Sequence, residues 1–315
     1  MTKGYSGNRI AVILPCHNEA PAIGNVISAF RAALPEASIH VFDNASTDDT
    51  AHVAGAAGAR VVHVAERGKG NVVRRMFADV EADIYLMADG DGTYDASSAR
   101  AMIDRVIAEG LDMVVGRRIT DGANKEYRPG HKMGNRLLTG AVALIFGSGF
   151  TDMLSGYRAL SRRFVKSFPA LSKGFETETE LTIHALTLRA PYGEVDTTYG
   201  ARADGTQSKL STWTDGIRIL KTILKLYILE RPREFFLSLA GIGALVSLGL
   251  GMPVIFEFLD TGLVPRFPTA VLAAATMLGA LLSATCAVVL DGVVTGRRET
   301  KRLVYLGIPA PGPKP

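Results

Sequence analysis

Over the first part of the chain, short apolar runs alternate with longer stretches of helical period. Ile10 to Leu14 is a continuous apolar run stopped by Pro15, which reads as a buried strand. Ala22 to Leu34 carries the period of a helix. Ile39 to Phe42 and Arg60 to Val64 read as further strands. Between them, the capping-rich loop Asp43 to Thr50 opens a small alanine-rich helix. The glycine loop Arg67 to Asn71 precedes a helix over Val72 to Val80. Asp83 to Met87 reads as a strand, Ser97 to Glu109 as a helix, and Met113 to Val115 as a strand ending at Gly116-Arg117-Arg118. Strands and helices alternating at these intervals predict an α/β fold: a mostly parallel sheet with helices on both faces.

Beyond Arg118 the alternation stops. Gly134 to Gly147 reads as an apolar helix with a basic start at Arg136. Glu176 to Leu188 reads as a helix carrying Glu178 and Glu180. Tyr199 to Lys209 is a polar, glycine-broken loop that suits either a lid or a plain connector. Trp213 to Leu229 is amphipathic, with Ile217, Leu220, Ile223, Leu224 and Tyr227 on one face. Phe235 to Leu259, and Thr269 to Leu290 running on to Val294, are each near the roughly 20 apolar residues that cross a bilayer. The link Asp260 to Pro268 has one basic residue, Arg266. The outer flanks carry Arg231 and Arg233 on one side and Arg297, Arg298, Lys301 and Arg302 on the other. The positive-inside rule puts both flanks in the cytoplasm, and the amphipathic helix then lies in the membrane interface. The expected organisation is a cytosolic domain over 1–210, a juxtamembrane helix over 211–234, a two-helix transmembrane hairpin over 235–294, and a cytosolic, partly disordered tail over 295–315.

Composition sharpens this picture. Hydrophobic residues are 47% of the chain and mean hydropathy is +0.17, with the excess collected after residue 234. The net charge of +4 and pI near 9.0 are too mild to argue for nucleic acid. Cys16 and Cys286 lie far apart and suggest no disulfide framework, which agrees with a reducing cytosol. Met1 to Asn8 is polar, so no signal peptide is expected.

The candidate chemistry centres on Met87-Ala88-Asp89-Gly90-Asp91-Gly92-Thr93. Asp89 and Asp91 follow a strand one residue apart, so both can point at one spot, and the glycines let a ligand approach the backbone. Two hard oxygen donors suit Mg²⁺ or Mn²⁺ shared with a diphosphate. A polar turn closing a strand would use the same residue types. In a parallel sheet, ligands bind beyond the carboxyl ends of the strands. Asn18-Glu19, Asp43, Lys69-Gly70, Asp89-Asp91 and Arg118 all fall at such ends. No G-x-G-x-x-G follows the first strand, and Gly68-Lys69-Gly70 lacks the G-K-[ST] of a P-loop.

These segments together resemble a known family. Leu14-Pro15-Cys16-His17-Asn18-Glu19, Asp43 to Asp48, Gly68-Lys69-Gly70, Asp89-Gly90-Asp91, Gly116-Arg117-Arg118, Asp152 to Arg158, and Arg202 through Ser208-Lys209 are similar, in order and spacing, to GT-A-fold family 2 glycosyltransferases of the polyprenyl-phosphate type. The resemblance spans nearly the whole chain. It implies a Rossmann-like catalytic domain moving a single sugar from a nucleotide diphosphate sugar to a polyprenyl phosphate lipid at the cytosolic face of the bacterial inner membrane. UDP-sugars are preferred and GDP-mannose is an alternative. Pro15, Asn18, Glu19 and Asp43 would hold the nucleotide, and Lys69 and Gly70 would line its pocket. Asp89, Gly90 and Asp91 form the DXD motif for metal and diphosphate. Arg118, Arg136, Arg202, Ser208 and Lys209 would meet lipid or donor phosphates, and Asp152, with Arg118 and Arg202, would serve catalysis. One position departs from the family pattern: where many relatives carry Gln as a further metal ligand, this chain has Thr93, a weaker one.

A phosphate monoester acceptor, with its second pKa about 6, needs little deprotonation. The expected work is therefore to hold two anions together and stabilise the leaving diphosphate, in one in-line displacement with inversion. Asp152 would orient the acceptor or accept a residual proton; a loop acid with a structural role is the other reading of that residue. Another family 2 acceptor, or a non-catalytic membrane scaffold, are the competing functions. A processive synthase should carry Q-x-x-R-W, and the one tryptophan, Trp213, stands in Ser211-Thr212-Trp213. The sugar and the homo-oligomeric state are left open.

Overall fold

The computed structural model describes residues 7–119, 139–140, 142–147, 149–174, 176–200 and 212–312. Two compact units are defined: Met1–Ile223 with Lys301–Pro315, and Leu224–Thr300.

In the first unit, strands β1 (Ile10–Cys16), β2 (Ser38–Asp43), β3 (Arg60–His63), β4 (Ile84–Met87), β5 (Met113–Ile119), β6 (Arg158–Ser161) and β7 (Tyr192–Thr198) form one sheet. Its order is β3-β2-β1-β4-β6-β5-β7. All pairings are parallel except those of β6, which runs antiparallel to both β4 and β5. The chain leaves β1 for β2 on one side and later returns to β4 on the other. A crevice therefore opens at the carboxyl ends of β1 and β4. Since β6 is reversed, its amino end reaches the same edge, with Arg158 opposite both Met87 and Val115.

Helices α1 (Ala20–Ala33), α2 (Thr50–Ala56), α3 (Lys69–Asp79) and α4 (Ser98–Ala108) alternate with the first five strands. Their apolar faces are buried: Ile23, Ile27 and Phe30 from α1, and Met102, Ile103 and Val106 from α4, join Val12, Leu14, Leu86 and Val114 of the sheet in one core. Helices α5 (Arg162–Ser167) and α6 (Thr177–Leu188) follow β6. The strand over Asp83 to Met87 and the helix over Ser97 to Glu109 are found within a residue of their expected bounds.

Three differences from the sequence reading have clear causes. The strand expected to stop at Val115 runs on to Ile119, because Gly116, Arg117 and Arg118 continue the parallel pairing with β7. The helix expected from Val72 begins at Lys69, so the glycine loop is its first turn. Strands β6 and β7 were not anticipated. β6 opens with Arg158, whose guanidinium is fully buried and donates to the carbonyls of Ser155, Met153 and Glu178 and to Thr182 Oγ1. Residues 142–146 are helical, within the helix expected over 134–147; most of its start lies outside the described residues.

Residues after the second apolar stretch return to the first unit. Tyr305 Oη donates to Asp112 Oδ2 at 2.5 Å, and Gly312 O accepts from Asn8 Nδ2 at 3.0 Å. The rest of the tail expected to be disordered, residues 313–315, lies outside the described residues.

The second unit holds most of helix α8 (Pro232–Thr261) and of helix α9 (Phe267–Leu306), preceded by the end of α7 (Thr212–Glu230). α8 and α9 are long and apolar enough to cross a membrane. Their mutual seam is made of small residues seven apart: Ala240, Ser247 and Val254 on one helix, and Ala273, Ala280, Ala287 and Val294 on the other are buried. Ser247 Oγ donates to Ala273 O at 2.7 Å. Small residues let two helices approach closely where lipid offers no hydrophobic drive to pair them. Outside the seam, Leu245, Leu259, Leu272, Leu281 and Val288 are exposed. On α7, Ile217, Leu220 and Leu224 of the predicted stripe are exposed, whereas Ile223 is buried.

His184 on α6 is buried against Phe164 and Phe168 and shares a hydrogen bond with Ser167 Oγ. Burial, and then the charge of Lys301, push its pKa down to about 3 from 6.5. In the folded protein the ring is neutral where the unfolded chain would take up a proton. Stability is therefore expected to fall as pH drops below 6.5, by about 1.4 kcal/mol per pH unit from this residue. His184→Phe should flatten the thermal-stability profile between pH 6.5 and about pH 4. Parallel profiles for the two proteins would contradict this.

Candidate active site

The carboxyl edge of the sheet gathers most of the residues singled out above. Asp43, ending β2, is 4% exposed; its Oδ1 accepts from Ser46 N at 3.3 Å and its Oδ2 lies 3.2 Å from His63 Nδ1 at the end of β3. Beyond β1, Asn18 takes a left-handed backbone (φ 53). Its Oδ1 accepts from Thr47 N at 2.8 Å, and its own N–H donates to Ser46 Oγ. Asn tolerates that conformation better than most residues. Glu19 is buried, and its N–H donates to Thr50 Oγ1. The loops after β1 and β2 thus clasp one another, with half-buried Pro15 at the strand end.

Lys69 enters from the first turn of α3. Its Nζ lies 2.5 Å from Asp89 Oδ1 and 2.5 Å from Glu178 Oε1. Burial pulls the ammonium's pKa down, but the two carboxylates outweigh it and the pKa is raised. The helix start is pressed against residues 172–173: Gly70 N donates to Lys173 O at 3.1 Å, and a Cβ at Gly70 would lie 2.1 Å from Ser172 O. That strand of loop is in turn fixed by Glu180, which accepts from Leu171 N and Ser172 N.

Asp91 is 4% exposed, and its Oδ1 accepts from both Thr93 N (3.1 Å) and Thr93 Oγ1 (2.6 Å). Thr93, at 1% exposure, therefore spends its hydroxyl proton on orienting Asp91. Gly90 sits where a Cβ would meet Cys16 Sγ at 2.3 Å, which holds the pair tight against the end of β1. On the other flank, Arg118 forks onto Asp152, Nε to Oδ2 and Nη2 to Oδ1, both at 2.7 Å. Asp152 is 5% exposed, and its loop is held by Glu194, which accepts from Thr151 N, Thr151 Oγ1 and Asp152 N. Two of the three candidate catalytic residues, Arg118 and Asp152, thus form an ion pair with one another. Arg136, Arg202, Ser208 and Lys209 lie outside the described residues.

Among the described residues, no group of three or more His, Cys, Asp or Glu is placed to hold a metal. Asp89 and Asp91 offer hard oxygen donors of the kind a divalent cation takes, and a cation held by them would have to draw its remaining ligands from a diphosphate and water. Sequence reasoning missed Glu178, Glu180, Glu194 and Arg158 as members of this site. Glu178 and Glu180 stand in the first turn of α6, a position that favours negative charge. That signal was present but pointed equally to helix capping.

A parallel-type sheet with one reversed strand, carrying an acid pair and buried cations at its carboxyl edge, is the frame of a GT-A glycosyltransferase. The model of Glycosyl transferase family 2 matches residues 11–168. The chain belongs to glycosyltransferase family 2. It is 36% identical over 255 residues to Glycosyltransferase AglJ of Haloferax volcanii, covering 79% of this chain and 82% of that one. It is 28% identical to a dolichyl-phosphate hexose transferase of the same organism, covering 73% of this chain and 98% of the relative. Among solved structures it is similar to glucosyl-3-phosphoglycerate synthase from Mycobacterium tuberculosis in complex with Mn²⁺, UDP-glucose and phosphoglyceric acid: TM-score 0.57, 25% identity, 70% of this chain and 80% of that one. The same enzyme is also seen with Mg²⁺ and UDP.

Gly70→Ala is expected to destabilise the first unit by about 1–3 kcal/mol, since the new methyl meets backbone that cannot move aside. Gly24→Ala, in the interior of α1 with its nearest contact at 3.4 Å, should be neutral or stabilising. Thermal unfolding of both variants checks this; equal midpoints would contradict the tight packing at Gly70.

Proposed function

We propose that the chain is a membrane-anchored, inverting glycosyltransferase. It moves one sugar from a nucleotide diphosphate sugar, preferably a UDP-sugar, to polyprenyl phosphate at the cytosolic face of the bacterial inner membrane. The observation that carries this reading is the pairing of acids with cations at one sheet edge, in a chain that also has two helices apolar enough to cross a membrane. The dolichyl-phosphate hexose transferase relative supports a lipid phosphate as acceptor. Donor and metal are supported by the UDP-glucose and Mn²⁺ bound by the M. tuberculosis enzyme.

In this reading Asp43, Asn18 and Glu19 hold base and ribose. Asp89 and Asp91 hold a divalent cation, Mg²⁺ or Mn²⁺, which supplies Lewis-acid stabilisation of the leaving diphosphate when bound. Lys69 adds a fixed positive charge beside it. Arg118 offers its planar fork to the acceptor phosphate, which matches a phosphate as well as it matches Asp152. Asp152, released, orients the acceptor oxygen for in-line attack. Arg136, Arg202, Ser208 and Lys209 add basic or hydroxyl contacts to phosphate, and Thr93 supports the cation through Asp91. The exposed stripe Ile217, Leu220 and Leu224 sits in the interface, because a polyprenyl chain cannot leave the bilayer and the site must come to it. A soluble phosphorylated acceptor is the second reading, favoured by the phosphoglyceric acid bound to the M. tuberculosis enzyme.

The test is a donor screen on protein purified in detergent, with undecaprenyl phosphate and Mg²⁺ or Mn²⁺, read by mass spectrometry of the lipid. One donor should give a sugar-phosphate-lipid, and Asp91→Asn should lower the rate by at least ~100-fold, as loss of a major electrostatic stabiliser does. Transfer to 3-phosphoglycerate with no lipid product would favour the soluble acceptor.

A further inference from the structure

The Lys69 ammonium sits between two carboxylates of different standing. Asp89 is partly exposed, its side chain 30% accessible, and belongs to the pair that fits a cation. Glu178 is 6% accessible and comes from α6, a different helix altogether. Its Oε1 touches Lys69, and its Oε2 is buried with no hydrogen-bond partner among the described residues. Its carboxylate touches the Lys69 ammonium and also acts at longer range on the buried Arg158 guanidinium. The helix bearing it is fixed through Arg158, which donates to Glu178 O and Thr182 Oγ1. Gly156 closes the cluster from the third side; a Cβ there would lie 2.9 Å from Asp89 Oδ2 and 3.1 Å from Lys69 Nζ. Gly156 thus packs closely against both Asp89 and the Lys69 ammonium.

We propose that Glu178 is a positioning residue that holds Lys69 when a divalent cation takes its place on Asp89. The inference rests on the reading of Asp89 and Asp91 as the cation and diphosphate site. With Glu178 in place, Lys69 can lean toward it as the cation arrives and remain in the site as a second positive charge for the diphosphate. Without Glu178, the ammonium has Asp89 as its near carboxylate and competes with the cation for it. The competition is steep at contact distance in a partly dry site, where charge interactions are several-fold stronger than in water.

The experiment is Mn²⁺ titration of the full-length protein in detergent, followed by the EPR signal of the free ion, with and without UDP. Glu178→Gln should weaken Mn²⁺ binding about tenfold without UDP. Glu178→Asp keeps the charge but shortens its reach, and should weaken binding several-fold as well. Lys69→Met, which removes the competitor, should tighten it. With UDP present the Glu178→Gln loss should shrink to under threefold, because the diphosphate draws Lys69 from Asp89. A thermal melt of each variant establishes folding; should Lys69→Met fail to fold, the two Glu178 variants decide alone. Glu178→Gln binding Mn²⁺ within twofold of wild type, or Glu178→Asp matching wild type while Glu178→Gln does not, would overturn the proposal; the second pattern means a long-range charge effect and not contact with Lys69. Wild type that binds no Mn²⁺ with or without UDP would overturn the underlying reading of Asp89 and Asp91 itself.

Discussion

Everything at the sheet's carboxyl edge depends on one constraint: acids drawn together away from water must be matched by cations or by hydrogen-bond donors. Asp89 and Glu178 share Lys69, and Asp152 is forked by Arg118. Asp43 leans on His63 and the Ser46 N–H. Breaking such a buried pair by removing one partner costs about 3–5 kcal/mol, whereas an exposed pair such as Arg117–Asp196 is worth about 1 kcal/mol or less. The buried pairs therefore decide how the edge is built. They tie α3 to β4 and α6, and β5 to the loop before β6, and in doing so they assemble a site from segments far apart in sequence.

The same constraint explains which parts were legible in the chain and which were not. β1 to β4 announce themselves as short, largely apolar runs followed by polar loops, glycine-bearing after β3 and β4, and the acids near their ends fall where parallel topology puts ligands. β6 does not announce itself, because it is four residues long and opens with an arginine, a residue expected on the surface. Its burial makes sense only once the carbonyls of Met153, Ser155 and Glu178 are seen around its guanidinium. β7, Tyr-Gly-Glu-Val-Asp-Thr-Thr, is polar and half-buried, as an edge strand can be. The role of Glu178 was hidden for a related reason: a glutamate in the first turn of a helix is ordinary, and only the lysine from another helix makes it more than that.

The second unit was easier to read, because two long apolar stretches separated by a short link allow few arrangements. Sequence did not reveal how the helices meet. The seven-residue spacing of Ala273, Ala280, Ala287 and Val294 against Ala240, Ser247 and Val254 supplies that answer. Small side chains form the seam and large ones face outward, the reverse of a soluble coiled coil and the order expected where the surroundings are lipid. Arg298 and Glu230, an ion pair at 3.5 Å, close the basic end of this unit.

The proposed function requires the aspartate pair to work together with a cation and a diphosphate. Calorimetric titration of UDP into the purified protein, with Mn²⁺ and again with chelator, tests it most directly. UDP should bind at least ~10-fold more tightly with Mn²⁺, a coupling of about 1.4 kcal/mol or more, and Asp91→Asn should abolish the difference. Equal UDP affinity with and without the metal, in a protein that still binds UDP, would contradict it.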